Sequence, residues 1–252
     1  MKQDVRTPFE RALQRARMSA FAPGEFAGQE SFMTAGEIRA LARRAGIAPG
    51  VAVLDVGCGI AGPGRLLTRE LGCDYVGVDF SEGAVALARE RAPGRRFAVT
   101  TAPPLPAGRF EVVLLLEAML AIEDKAALVD AVAAGLAPGG RFAFTLEEGE
   151  PLEPAEQAAM PDPDTVWLTP LEELTASLER AGLTLTWRAD SSRAHRAMAK
   201  ALIDAYTADT ENITAQLGRR ALDDLLAAHR LWIDWLQSGR VRKLALVATL
   251  TA

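Results

Sequence analysis

The sequence predicts an α/β protein: a mostly parallel seven-stranded sheet with helices on both faces and a helical cap inserted before the last strand. Three observations carry that expectation. The run Val51 to Val56 is apolar and rich in β-branched residues, and it passes through Gly57, Gly59 and Gly62 into a helical segment that Pro63 opens and Gly72 stops. Phe110 to Leu116 is a nearly unbroken apolar stretch, as expected of a central parallel strand covered on both sides. Between the last two expected strands, where such a sheet needs only a tight connection, lie residues 190–242, which read as two or more helices.

At 252 residues, with 49% hydrophobic and 24% charged residues, the chain fits one α/β domain with an elaboration. Its expected parts are N-terminal helices over 1–48, a ligand-binding core over 49–148 and a C-terminal half over 149–252 that carries the cap. A net charge of −5 offers no general attraction to nucleic acid or to an anionic membrane, so the expected partner is a small molecule, with the protein a monomer or homodimer. Cys58 and Cys73 have no C-x-x-C or Cys/His neighbourhood, so no metal site is expected and both read as thiols of a reducing cytoplasm. Residues 1–20 lack the apolar block of a signal peptide, and no uncharged membrane-length span follows; a cytoplasmic protein is expected.

In chain order, Thr7-Pro8-Phe9-Glu10 reads as a capping box for a helix reaching about Met18. Thr34 and Glu37 repeat that spacing ahead of a helix with Ile38, Leu41, Ala42 and Ala45 on one face, ended by Gly46 and Pro49. The link between them, Ala27 to Phe32, includes Gln29; folding over a ligand and acting as a plain connector weigh about equally. The second strand is expected over Tyr75 to Val78, closed by Asp79, with Phe80 next and Ser81 capping a helix to Pro93. A third strand is expected from Arg96 to Thr101. A helix follows the fourth strand, from about Asp124 to Leu136, and Phe142 to Leu146 forms the fifth. Beyond Glu147 and Glu148 comes a proline- and acid-rich loop to Asp164. Thr169-Pro170-Leu171-Glu172 reads as a third capping box, Leu183 to Trp187 as a strand, and Leu244 to Leu250 as the last strand. In the insertion, Leu222, Leu225, His229, Trp232 and Leu236 share a helix face, with Trp235 off that seam. The stripe fits a core; as a lid over the sheet, its tryptophans would instead wall an organic substrate.

Gly57, Gly59 and Gly62 satisfy G-x-G-x-x-G, a pattern that alone suits a pyrophosphate. Asp55, two residues before the first glycine, decides against one, because a carboxylate there repels a phosphate and attracts a cation. The segment Val53-Leu54-Asp55-Val56-Gly57-Cys58-Gly59-Ile60-Ala61-Gly62-Pro63-Gly64-Arg65 resembles the first motif of the Rossmann-like (class I) S-adenosylmethionine-dependent methyltransferases. Leu136-Ala137-Pro138-Gly139-Gly140 before an apolar strand resembles the same family and is foreign to the nicotinamide dehydrogenases, which would share the three glycines and Asp79. The resemblance covers residues 50–148. It implies S-adenosylmethionine as cofactor, S-adenosylhomocysteine as product, and methyl transfer to an oxygen, nitrogen or carbon of a small, partly hydrophobic metabolite. The alternatives are a repurposed or regulatory member of the fold that binds the cofactor without methylating and, ranked below it, a nicotinamide-dependent dehydrogenase.

The cofactor-binding residues expected on this reading are Gln29, Asp55, Gly57, Cys58, Gly59, Gly62, Asp79, Phe80, Thr101, Ala102 and Glu117. Asp79 would accept hydrogen bonds from the ribose hydroxyls. The family commonly places an acidic residue at the end of the third strand, to meet the adenine amine; here Thr100, Thr101 and Ala102 stand there. Glu117 ends the fourth strand on the ligand-binding edge, so it is a candidate catalytic residue, as is His195. His195 also fits a solvated surface position, and His229 reads as a satisfied histidine on an apolar face. Met119, Glu147, Trp167 and Trp232 are the candidate substrate-binding residues.

Overall fold

The computed structural model describes residues 11–161 and 165–251. The capping box expected at Thr7 to Glu10 and the end of the acidic loop at Asp164 lie outside the described residues. The elements in order are α1 (Arg11–Ala20), α2 (Ala35–Arg44), β1 (Ala52–Val56), α3 (Gly62–Leu71), β2 (Asp74–Asp79), α4 (Glu82–Arg91), β3 (Arg96–Val99), β4 (Phe110–Leu115), α5 (Lys125–Gly135), β5 (Leu136–Glu148), α6 (Pro154–Ala159), α7 (Leu171–Arg180), β6 (Leu183–Asp190), α8 (Ser192–Ala208), α9 (Thr210–Leu217), α10 (Arg219–Ser238) and β7 (Arg242–Leu250).

The seven strands lie in the order β3-β2-β1-β4-β5-β7-β6. Neighbours are parallel except at β7, which runs antiparallel to both β5 and β6. Alternation along each strand feeds two cores. Val53, Val112, Leu114 and Ala143 pack beneath α2, α3 and α4, while Leu54, Val113, Leu115 and Phe142 pack beneath α5 and α7. This explains why β1 and β4 are apolar at nearly every position: both faces are covered.

Local signals set most helix starts. Thr34 and Glu37 form the expected capping box, with the Glu37 amide donating to Thr34 Oγ1 at 3.2 Å and the Thr34 amide to Glu37 Oε2 at 2.8 Å. Ser81 Oγ accepts from the Ala84 amide at 3.1 Å, and Gly72, at φ +66°, ends α3. The third expected box does not form. Pro170 is the N-cap of α7 and makes no side-chain cap, because Thr169 is drawn into a bridge with Glu148 at the sheet edge.

Three other expectations are corrected. β5 is 13 residues long and not a short strand from Phe142, because it pairs with β4 from Leu136, with both neighbours over Arg141 to Phe144, and with β7 on to Glu148. β7 begins at Arg242, so Lys243 lies in the sheet opposite Glu147. In α10, Trp235 is buried while Trp232 and Leu225 are only partly so; Trp235 packs with Val166, Leu168 and Val241, which widens the apolar face beyond the expected seam.

The cap also draws in a segment that the sequence places elsewhere. α1 does not join the layers over the sheet. Its Ala12, Leu13 and Ala16 pack with Leu202 and Tyr206 of α8, Ile213 of α9 and Leu222 of α10. The Ala12 amide donates to Gln216 Oε1 at 2.8 Å across 204 residues of sequence. Leu13→Ala is expected to cost about 2–5 kcal/mol, the usual range for emptying a buried leucine site; urea denaturation would show a lowered midpoint, whereas an α1 independent of the cap would leave it unchanged.

Candidate functional site

Two adjoining cavities lie where the carboxyl ends of the parallel strands meet the cap. The first, about 190 Å³, is bounded by the turns after β1 and β4 and by the segment before α2, with Asp55, Gly57, Gly59, Gln29 and Glu117 on its wall. The turn after β1 exists because backbones approach closely there. A Cβ on Gly62 would meet the Gly28 carbonyl at 2.5 Å, and one on Gly57, at φ +73°, would meet Ala118 Cβ at 2.9 Å. The Gly57 and Cys58 amides both donate to the Val78 carbonyl, at 2.8 and 3.0 Å, which pins the turn to β2.

Asp55 is buried on the cavity wall and accepts a 2.6 Å hydrogen bond from Tyr75 Oη. Burial pushes its carboxyl up to about 7, against the pull of the tyrosine hydrogen bond. A cation entering the cavity would therefore be met by a group that ionises readily in response. Asp79 ends β2; its two oxygens accept from the Gly59 and Ser81 amides, each at 2.9 Å, and one carboxylate thus ties the glycine turn to the start of α4. These bonds leave its other lone pairs available to hydroxyl donors. Phe80 beside it is 75% exposed, so an apolar ring stands free at this edge.

The second cavity, about 200 Å³, lies between sheet edge and cap. Leu120, Glu147 and Lys243 come from the sheet side, and Phe32, His229 and Trp232 face them. Glu30, Ser31 and Glu117 border both cavities. Glu117 holds a left-handed backbone at φ +56°, stabilised by its amide donating to Thr145 Oγ1 at 2.6 Å. Its Oε2 accepts from Lys243 Nζ at 2.8 Å, and the same ammonium donates to Glu147 Oε1. Lys243 and Glu147 are 3% and 4% exposed, so the ion triad is desolvated. Burial pushes Glu117 up, yet the Lys243 ammonium, supported by His195 and by hydrogen bonds, brings its carboxyl below the ordinary value. For Lys243 burial acts downward, and the two carboxylates outweigh it and raise the ammonium.

Several expected site residues occupy other positions. Gln29 lines the first cavity, but its amide is committed to the chain around it, accepting from the Ala27 amide and donating to the Glu25 and Met33 carbonyls. It shapes the loop instead of presenting a free polar group. Cys58 lines the cavity with its thiol turned to the Gly59 carbonyl at 3.6 Å, and burial raises that thiol. Met119 is a correction: the 3-10 turn Met119–Ala121 folds its side chain, fully buried, into the core under α5. His195 is another, since it is neither solvated nor on a cavity wall. It is 2% exposed, its Nε2 stands 3.4 Å from Glu37 Oε1, and Phe32 packs edge-on against it. Thr101 is exposed and Ala102 packs toward the core, and neither borders a cavity. Trp167 lies beside the second cavity's floor without lining it; its carbonyl accepts from Lys125 Nζ at 2.7 Å. Glu147 and Trp232 do line that cavity.

The sequence reading missed Lys243, Glu30, Arg17 and the cavity-facing role of His229. Only Lys243 had a usable signal, the opposition of Glu147 and Lys243 once β5 and β7 are paired. Among the described residues no group of three or more His, Cys, Asp or Glu side chains could hold a metal ion.

The family model described as a methyltransferase domain matches residues 6–187. The chain belongs to this family. It is a class I S-adenosylmethionine-dependent methyltransferase by family, and S-adenosylmethionine is the cofactor the family uses. A phosphoethanolamine N-methyltransferase 1 from Zea mays is 25% identical over 208 residues, which is 80% of this chain and 42% of the relative. The chain spans between 23% and 42% of the length of the first curated relatives it matches. A cyclopropane synthase from Mycobacterium tuberculosis has the same fold at a TM-score of 0.81 and 14% identity, covering 97% of this chain and 96% of that one. A phosphoethanolamine N-methyltransferase 2 from Haemonchus contortus, solved with S-adenosyl-L-methionine, gives a TM-score of 0.79 at 19% identity over 99% of this chain and 60% of that one.

The first cavity suits this cofactor. Its glycine turn leaves open space at Gly59, where a Cβ would meet nothing within 4 Å, and Asp55 supplies a carboxyl that a sulfonium or ammonium group would hold ionised. Because the free protein holds a proton on Asp55 below about pH 7 and a bound cation expels it, affinity for S-adenosylmethionine is expected to rise roughly tenfold from pH 6 to 8. Calorimetry in buffers of different ionisation enthalpy would register the released proton, and Asp55→Asn would flatten the profile. Gly62→Ala is expected to displace Gly28 and Gln29 and to weaken cofactor binding by about tenfold or more, about 1.4 kcal/mol, in the same measurement.

Proposed function

We propose that this chain transfers the methyl group of S-adenosylmethionine to a nucleophilic atom of a small, partly apolar metabolite held in the second cavity, and that it does so in the cytoplasm. The observation that carries the reading is the position of Glu117, whose side chain borders the cofactor cavity on one side and the acceptor cavity on the other. When bound, S-adenosylmethionine supplies a methyl group on a sulfonium leaving group, so the chain has little bond-breaking chemistry of its own to perform.

Its residues align and exclude water. The Gly57 to Gly62 turn and Asp55 hold the donor side, and Asp79 orients the turn. Phe32, Leu120 and Trp232 present apolar surface to the acceptor, so that the reacting atoms meet in a space short of competing water. Glu117, fixed by Thr145 and Lys243, offers a carboxylate oxygen at the junction to receive a proton or to orient the acceptor. The maize and Haemonchus relatives are named for methylation of a small phosphorylated amine, which supports a small-molecule acceptor.

Incubation with S-adenosylmethionine and a metabolite extract, followed by mass spectrometry, is expected to reveal one compound gaining a single methyl group alongside S-adenosylhomocysteine. Glu117→Gln is expected to lower kcat by about 10²–10⁴ while leaving cofactor affinity and the thermal midpoint close to those of the unsubstituted protein. Cofactor binding with no methylated product from such an extract would refute the proposal.

A further inference from the structure

The acceptor cavity has one buried donor without a partner among the described residues, Arg17 Nε, and more acceptors than donors left unmet. Its floor holds two desolvated carboxylates that share a single ammonium: Lys243 Nζ binds Glu117 Oε2 and Glu147 Oε1, whereas Glu117 Oε1 and Glu147 Oε2 are buried and accept no hydrogen bond among the described residues. Unmet acceptors of that kind cost free energy until a donor reaches them. His229 adds a third acceptor. Its Nδ1 is 2.8 Å from the Leu225 carbonyl, so that nitrogen carries the hydrogen and Nε2 carries the lone pair. Burial holds this imidazole down at about 4, and it is neutral at physiological pH.

Charge points the same way. The cavity lining contains three carboxylates, Glu30, Glu117 and Glu147, against two cations, Arg17 and Lys243. Burial raises the Glu30 carboxyl beside Arg17 to about 7, and the Lys243 triad taken by itself, two carboxylates on one ammonium, leaves the floor with one surplus negative charge. Phe32 and Trp232 stand on the same wall, with Trp232 braced edge-on by Trp235 at 5.4 Å. A ring face in a partly dry pocket attracts a cation.

We propose that the methyl acceptor is an organic amine that docks as its ammonium ion, with its N–H groups on Glu117 Oε1 and Glu147 Oε2 and its carbon skeleton against Phe32 and Trp232. Glu117 Oε1 then receives the proton that the nitrogen must lose before it can act as a nucleophile. This inference rests on the assignment of the second cavity to the acceptor, and it makes Glu147 and Lys243 determinants of substrate specificity. A neutral alcohol of the same shape would leave the surplus charge uncompensated, and a carboxylic acid would add to it.

The test uses isosteric series, phenethylamine with 2-phenylethanol and phenylacetate, and tryptamine with tryptophol, titrated by calorimetry into the full chain loaded with S-adenosylhomocysteine. At least one amine is expected to bind about tenfold or more tighter than its matched alcohol and acid, and Glu147→Gln is expected to reduce that preference to within about threefold. No measurable amine binding, an alcohol or acid within tenfold of the amine, or a preference that survives Glu147→Gln would each overturn the proposal. Circular dichroism and S-adenosylhomocysteine titration check that the variant is folded. If it is not, Trp232→Leu serves instead, expected to weaken amine binding several-fold with little change for the alcohol; equal loss for both would overturn the proposal. The same mixtures supplied with S-adenosylmethionine are read by mass spectrometry. Amine binding without a methylated product counts against the methyl-transfer reading, whereas product formed on the alcohol or acid counts against the amine.

Discussion

One buried ammonium organises the ligand-binding edge. Lys243 Nζ holds carboxylates from two other segments, Glu117 after β4 and Glu147 near the end of β5. Placing three ionised groups out of water is unfavourable by several kcal/mol per ion unless the geometry compensates, and removing Lys243 would leave two buried carboxylates facing each other without a cation. The triad therefore constrains its surroundings: β7 must run antiparallel to β5 to bring Lys243 opposite Glu147, and the chain must adopt a left-handed turn at Glu117 to point that side chain inward. What remains after pairing is two buried carboxylate oxygens, Glu117 Oε1 and Glu147 Oε2, without a hydrogen-bond donor among the described residues.

The donor half of the site is governed by shape more than by charge pairing. Gly57, Gly62 and Gly28 let three backbone segments approach so closely that a methyl group at the first two positions would collide. Asp55 sits on the wall of the space they enclose, hydrogen-bonded by Tyr75 Oη and close enough to Asp79 to feel its charge. Its raised carboxyl is the electrostatic counterpart of that enclosure, a group kept reluctant to ionise until a cation arrives.

The donor half was also the legible half. The glycine turn, the Thr34 and Glu37 box, Asp79 closing its strand and the two-sided burial of β4 are each encoded within a dozen or fewer consecutive residues. The acceptor half depends on contacts between distant segments. Lys243 stood just outside the expected last strand, and its partner becomes evident only from the antiparallel register. α1 reads as an ordinary amphipathic helix, with nothing local to direct it to α8 and α10 in place of the sheet. Met119 was placed by its nearness in sequence to Glu117 and His195 by the chemistry of a histidine, whereas the 3-10 turn buries the first in the core and the second packs against Phe32 and Glu37. Thr169 met a local rule that a sheet-edge bridge overrode.

The joining of α1 to α8, α9 and α10 divides the molecule along a line that the chain order hides. The first cavity is lined by three segments that all lie between Gly28 and Ala118, whereas the second is roofed by pieces from both ends of the sequence. During synthesis the donor half can assemble first, and the roof closes only after the last helix has emerged and found the first. Substitutions in α8 and α10 can thus reshape the second cavity without touching the glycine turn.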